Sequence, residues 1–247
     1  MEVVAIVNRK GGVGKTATAQ ALGAGLLKKK KKVLYIDLDS QTNLSYGLGA
    51  DAAGLNSMDV LTGEATAEEA IQHTQQGDVI AGSEALAGAD AAIDGTGKEY
   101  RLKEAIDGLQ YDYIIIDTPA QLGTLTVNAL TAANSVVIPV QAEVYSLQGI
   151  GQLSKAIEAV KKYCNKDLYI RGILITRYNG RAVISRDMQE NLQEAAKQLK
   201  TKLYTTPIRE CVSIKEAQAS QTDIYSYAPR SNAAKDYEAF IKDFMKG

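Results

Sequence analysis

Apolar residues follow two alternating patterns along the chain. Short, nearly continuous Val/Ile/Leu runs at residues 3–8, 33–37, 78–81, 113–117, 135–140 and 168–176 predict strands. Several lack a polar residue at every second position, which suits strands buried on both faces, as in a parallel sheet covered by helices. Between them, apolar residues recur at helical spacing over 15–29, 66–73, 99–109, 124–133, 147–163, 185–199 and 231–245. Thr66, with Glu69 three residues later, reads as a capping box. Strands alternating with helices predict right-handed crossovers and an α/β fold, a doubly wound and mostly parallel sheet flanked by helices. With no internal repeat and no Pro/Gly/Ser linker, residues 1–247 read as a single domain. The Ala- and Gly-rich stretch 82–97 carries the weakest pattern.

Composition narrows the class. Hydrophobic residues make up 45% and charged residues 23% of the 247, which excludes a disordered, collagen-like or coiled-coil chain. No apolar run approaches the roughly 18 residues that span a bilayer. The opening MEVVAIV has neither a basic segment nor a cleavage site, so no secretory signal is expected. Two cysteines, Cys164 and Cys211, make no disulfide framework and lack metal-site spacing. A cytoplasmic location is expected. The net charge of −1 means that any nucleic-acid surface must be a local patch.

The strongest chemical signal follows the first strand. Arg9-Lys10-Gly11-Gly12-Val13-Gly14-Lys15-Thr16 precedes a helical pattern that opens with Ala17. Glycines let backbone N–H groups turn inward on an anion, and the helix adds its positive end. Lys15 can reach the β and γ phosphates of a nucleotide, and the Thr16 hydroxyl can ligate Mg²⁺. The standard phosphate loop has glycine where Arg9 stands, so this is a variant, with a second lysine, Lys10, near its start. Two carboxylates complete the pattern. Asp39 lies just past the second strand and Asp117 ends the fourth run, where parallel strands point ligand-binding groups into a crevice. Asp117 fits a Walker B role on Mg²⁺, and Asp39 is placed to orient the attacking water. Thr16, Asp39 and Asp117 are the candidate metal residues. The bland alternative for either Asp is a helix cap.

These residues resemble the deviant Walker A family of ParA, Soj and MinD ATPases. The family signature Lys-Gly-Gly-x-Gly-Lys-Thr appears as Lys10 to Thr16, and its Asp-x-Asp-Pro-Gln segment as Asp37-Leu38-Asp39-Ser40-Gln41. Val140-Gln141-Ala142-Glu143-Val144-Tyr145-Ser146-Leu147 is similar to a Soj-type segment, as are Ile208-Arg209 through Lys215-Glu216-Ala217 and Ala228-Pro229-Arg230-Ser231. The resemblance implies ATP and ADP as ligands with Mg²⁺, held by Lys10, Gly11, Gly12, Val13, Gly14, Lys15, Thr16, Ala17 and Asp117, with Pro207, Ile208 and Glu210 against the adenine. It implies catalytic roles for Lys10, Lys15 and Asp39, and an ATP-sandwich homodimer in which Lys10 reaches the partner's phosphates. Further implications are non-specific binding of double-stranded DNA, a ParB-like partner that stimulates hydrolysis, and a nucleoid-associated location. No stable membrane association is expected. A MinD-like positioning ATPase and a metabolic ATP-dependent enzyme on the same fold remain the alternatives.

Charge patterning adds a DNA surface. Residues 171–215 hold nine basic and four acidic residues, a local excess of +5. Non-specific DNA binding is mostly phosphate neutralisation, so clustered Lys and Arg are what it needs; the alternative is a solvated mixed face. Arg181, Arg186, Arg209 and Lys215 are the candidates that the resemblance selects. The five-lysine run at 28–32 closes the first helix, where cations suit the helix dipole, and is read as a solvated terminus first and a DNA contact second. His73, the only histidine, is expected on a surface helix. Tyr237, Phe240, Ile241, Phe244 and Met245 form a helical stripe with a mixed polar face, read as core packing rather than a membrane anchor.

Overall fold

The computed structural model describes residues 1–143, 146–180 and 183–246, without the side chains of 183–186. In chain order the elements are β1 (Glu2–Ile6), α1 (Lys15–Lys28), β2 (Val33–Asp37), α2 (Asn43–Leu48), α3 (Ser57–Thr62), α4 (Ala67–Ala70), β3 (Ile71–Thr74) and β4 (Gly77–Ile80). Then come α5 (Ala89–Ala92), α6 (Arg101–Ala105), β5 (Tyr113–Asp117), α7 (Thr124–Ala132), β6 (Ser135–Gln141), α8 (Ser146–Tyr163) and β7 (Tyr169–Thr176). Finally there are α9 (Val183–Gln198), α10 (Val212–Ala219), α11 (Ile224–Tyr227) and α12 (Asn232–Phe244). The strands form one sheet in the order β3-β4-β2-β5-β1-β6-β7, parallel except for the β3–β4 pair.

Period-two alternation feeds two separate apolar layers. Val3, Ala5, Leu34, Ile36, Ile114 and Ile116 face one cluster, under α3, α6, α7 and α8. Val4, Ile6, Tyr35 and Ile115 face the other, under α1 and α12. That both sets are apolar is why the strands read as continuous runs. The α12 stripe lies in the second layer: Tyr237, Phe240, Ile241 and Phe244 are buried, and Phe240 meets the edge of the Tyr204 ring at 4.7 Å. α12 and α1 approach so closely at Gly25 that a Cβ there would sit 2.1 Å from the Ile241 side chain. Among the described residues no helix is long and apolar enough to cross a membrane.

Two helical expectations are corrected. Of residues 66–73 only Ala67–Ala70 is helical, with the Thr66–Glu69 capping box in place. At Ile71 the chain turns extended and pairs antiparallel with β4, so His73 lies on an edge strand, against Asp78 at 2.7 Å. Sheet pairing outweighs a one-turn helix with few further good helix formers. The 99–109 helix is reduced to Arg101–Ala105 after a 3₁₀ turn at Lys98–Tyr100, and left-handed Gly108 follows it.

A candidate nucleotide site at the carboxyl ends of the central strands

The loop after β1 is anchored before it turns. Asn8 donates from Nδ2 to the Pro139 carbonyl at 2.6 Å and accepts from the Lys10 amide at 3.0 Å. Thr176, the last residue of β7, donates its hydroxyl to the Val13 carbonyl at 2.6 Å. Gly14 has φ +84°, a left-handed backbone open to glycine without strain, and it leads directly into α1. No side chain caps α1, so the first N–H groups of a 14-residue helix open onto the crevice. That arrangement is ready for an anion.

Asp37 and Asp117 are register partners at the ends of neighbouring strands. Asp37 is satisfied internally, accepting from the Ser45 amide at 2.9 Å, the Ser45 hydroxyl at 2.7 Å and the Asp39 amide at 3.0 Å. It organises the loop that carries Asp39. Asp117 differs: it is fully buried, and neither carboxylate oxygen has a partner at hydrogen-bonding geometry among the described residues. Burial first, and the Asp37 charge second, hold its carboxyl well above the usual range, while Thr16 and the Lys15 ammonium pull it back. Burial lowers the Lys15 ammonium, opposed by the charges of Asp117 and Asp39. The buried, unpaired Asp117 carboxylate and the Thr16 hydroxyl are hard oxygen donors of the kind that fits Mg²⁺. Asp39 is half-buried at the lip and accepts from the Gln41 amide at 3.1 Å.

These groups open onto a cavity of about 920 Å³. Gly11, Gly12, Gly14, Lys15, Thr16, Ala17 and Asp39 line one side, and Ile208, Arg209, Glu210 and Lys215 the other. Lys10, Val13, Asp117 and Pro207 do not line it. Lys10 is exposed outside the loop and forms an ion pair with Glu143. Glu143 starts a polar chain in which the sequence reading gave a role only to Glu210. With its amide oriented to satisfy both neighbours, Gln141 donates to Glu143 at 2.6 Å and accepts from Arg177 at 3.0 Å. Arg177 in turn binds Glu210 at 2.9 Å. Glu210, expected at the adenine, is thus committed to Arg177. Arg177 follows directly on β7, and a charged residue just past a parallel strand is the signal that picked out Asp39. It stands at φ +48°, a strained backbone of the kind that gathers at binding sites.

The basic excess of 171–215 is largely neutralised. Arg171 pairs with Glu2, Arg177 with Glu210, Lys197 with Glu194 and Lys202 with Asp243. Arg209 is clasped by the buried Asp236, at 2.8 Å through Nε and 2.6 Å through Nη2. Composition counted these cations as available, whereas the fold uses them as struts. Lys215 lines the cavity, and Lys200 has no ion pair among the described residues. Arg181 and the Arg186 side chain lie outside the described residues, as do Val144 and Tyr145.

Comparison with known proteins agrees with this geometry. A family model described as an AAA domain matches residues 1–170. The sporulation initiation inhibitor protein Soj of Bacillus subtilis is 41% identical over 249 residues, covering 98% of this chain and 97% of that protein. The chromosome-partitioning ATPase Soj of Thermus thermophilus is 36% identical over 250 residues, covering 98% and 94%. A crystal structure of cobyrinic acid a,c-diamide synthase from Mycobacterium smegmatis, with a bound ATP analogue and magnesium, has a TM-score of 0.85 at 33% identity and covers 100% of this chain and 95% of that one.

Proposed function

This chain belongs to the ParA/Soj family of partition ATPases, and we propose that its ATPase cycle is a DNA-segregation switch. Binding of ATP with Mg²⁺ pairs it with a second copy, the pair holds duplex DNA without reading sequence, and a ParB-like partner stimulates hydrolysis to ADP and phosphate. The observation that carries the nucleotide step is the buried, unpartnered Asp117 carboxylate beside Lys15 and Thr16, at the foot of a glycine loop that opens an uncapped helix.

Each residue has a distinct task. Backbone N–H groups from Gly11 to Ala17 receive the phosphates, and Lys15 neutralises β- and γ-phosphate oxygens. Thr16 and Asp117 hold Mg²⁺, with Asp39 near it, and the ion supplies charge neutralisation on the phosphates when bound. Asp39 orients water toward the γ phosphate. Lys10, whose exposed ammonium pairs with Glu143, can exchange that carboxylate for the partner's phosphates. Ile208 supplies an apolar surface for the base, with Pro207 beside it in sequence. Arg209 and Glu210 are fixed by Asp236 and Arg177, which makes them walls of the base pocket. Arg181, Arg186 and Lys215 remain the proposed DNA residues of the carboxyl-terminal third, with Arg209 in a bracing role. A cytoplasmic, nucleoid-bound location follows from this reading.

Burial of the α12 stripe speaks against a MinD-like membrane anchor made from that helix. The likeness to a diamide synthase keeps one metabolic alternative specific: an enzyme that activates a carboxylate substrate with ATP. ATP hydrolysis measured alone, with arbitrary duplex DNA, and with the ParB-like protein encoded nearby separates the readings. Stimulation by DNA and partner together is expected; turnover that depends instead on an added polycarboxylate substrate would replace the segregation reading.

A further inference from the structure

Duplex DNA needs unpaired cations, and the fold has spent most of those in 171–215 on internal ion pairs. Unspent cations gather elsewhere. Lys29, Lys30, Lys31 and Lys32 follow α1 directly and have no ion pair among the described residues, while Lys28 is held by Glu238 at 3.3 Å and lies over the Tyr225 ring. Lys29, Lys30 and Lys32 are exposed, and Lys31 is half-buried. Asp112 accepts from the Lys32 amide at 2.8 Å rather than from an ammonium.

The backbone here is built in a way that helix capping alone does not ask for. Lys31 N–H donates to the Leu26 carbonyl at 3.1 Å and Lys30 N–H to Leu27 at 2.8 Å, the paired bonds of a Schellman cap. The left-handed residue of that cap, φ +60°, is Lys30, where glycine is the unstrained choice. One or two cations in the last turn would satisfy the helix dipole, yet the run holds five. α1 begins at the phosphate loop and, with 14 residues at about 1.5 Å each, ends roughly 21 Å away, where β2 and β5 start. The lysines therefore stand on the opposite side of the sheet from the nucleotide crevice.

We propose that Lys29, Lys30, Lys31 and Lys32 form a second duplex-DNA contact of the ATP-bound pair, remote from the nucleotide crevice. It rests on the reading of DNA as a partner and adds a site to it. Lysines are point charges without bidentate geometry, so the contact is to phosphates and carries no sequence preference. A bilayer is the poorer fit, because the neighbouring Leu26 and Val33 are buried and not free to enter lipid.

The test is fluorescence anisotropy of a random-sequence duplex over a salt series, with the full chain nucleotide-free and with Mg-ATP. The triple variant Lys29→Gln, Lys30→Gln, Lys31→Gln is expected to bind the duplex more weakly than the parent with Mg-ATP. With ATP its slope of log affinity against log salt becomes shallower by roughly 2–3 per protomer, near 0.9 for each lost phosphate contact. ATP affinity by calorimetry stays at the parent value, which also reports the fold, and the corresponding triple Arg variant keeps the parent slope. An unchanged slope in the Gln variant overturns the proposal. So does unchanged DNA binding with lost binding to phosphatidylserine vesicles, which would make the patch a lipid contact. A parent chain that binds no duplex in any nucleotide state defeats the DNA-partner reading itself.

Discussion

Asp117 shows how a single residue carries both strain and function. Its native pKa lies above its unfolded value, so this carboxyl favours the fold fully below the ordinary carboxylate range. That contribution is lost as pH rises through the raised native value. Once ionised, the buried group is a burden that bound Mg²⁺ would relieve. Asp117→Asn is therefore expected to raise the nucleotide-free stability by on the order of 1 kcal/mol, about 2–4 °C in melting temperature, while abolishing Mg-dependent ATP affinity. Calorimetric melting with and without Mg-ATP checks both halves. In the parent, Mg-ATP affinity should fall on acidification at a pH above the usual carboxylate range, a dependence absent from the Asn variant. Asp117 and Asp39 were legible in the sequence because a carboxylate at the end of an apolar run needs only local context. The pairings of Lys10 with Glu143 and of Arg177 with Glu210 were not: the first spans 133 positions and the second 33, and nothing local announces either.

At the scale of elements, the same contrast separates buried strands from marginal helices. Runs such as Ile114-Ile115-Ile116 can satisfy two apolar layers at once and have no competing conformation. The 66–73 segment had a real capping box but only one turn behind it, and the edge of β4 captured the rest. Short helices α2, α3, α10 and α11 escaped the periodicity reading because four to eight residues show too little of a 3.6 repeat. Two element-level outcomes are expected. Lys30→Gly relieves the left-handed cap of α1 and should stabilise the chain by about 1 kcal/mol in denaturant unfolding. Phe240→Ala opens a void between α12, Tyr204 and α1 and should cost about 3–5 kcal/mol. A variant with little loss of stability would mean that the aromatic stripe is not core.

The whole molecule joins these scales by placing every phosphate-handling group on one rim of the sheet. Lys10, like the buried Asp117, does not line the cavity, and its proposed role belongs to an assembly. Lys10→Ala is expected to bind Mg-ATP with near-parent affinity yet sediment as a monomer at saturating nucleotide. Asp39→Ala should dimerise but hydrolyse slowly. Analytical ultracentrifugation beside calorimetry decides this, and parallel loss of nucleotide affinity in both variants would remove the division of labour. On the far rim, one buried guanidinium has a different consequence. Arg171 binds Glu2 at the start of β1, the Phe244 carbonyl at the end of α12, and the Phe244 ring 4.0 Å away. The two ends of the described chain are thereby stitched to a single side chain. A circular permutant that bridges them with a few residues and opens in the Gly95–Gly97 turn would preserve all strand neighbours. Reporters fused at either end would likewise leave the crevice clear.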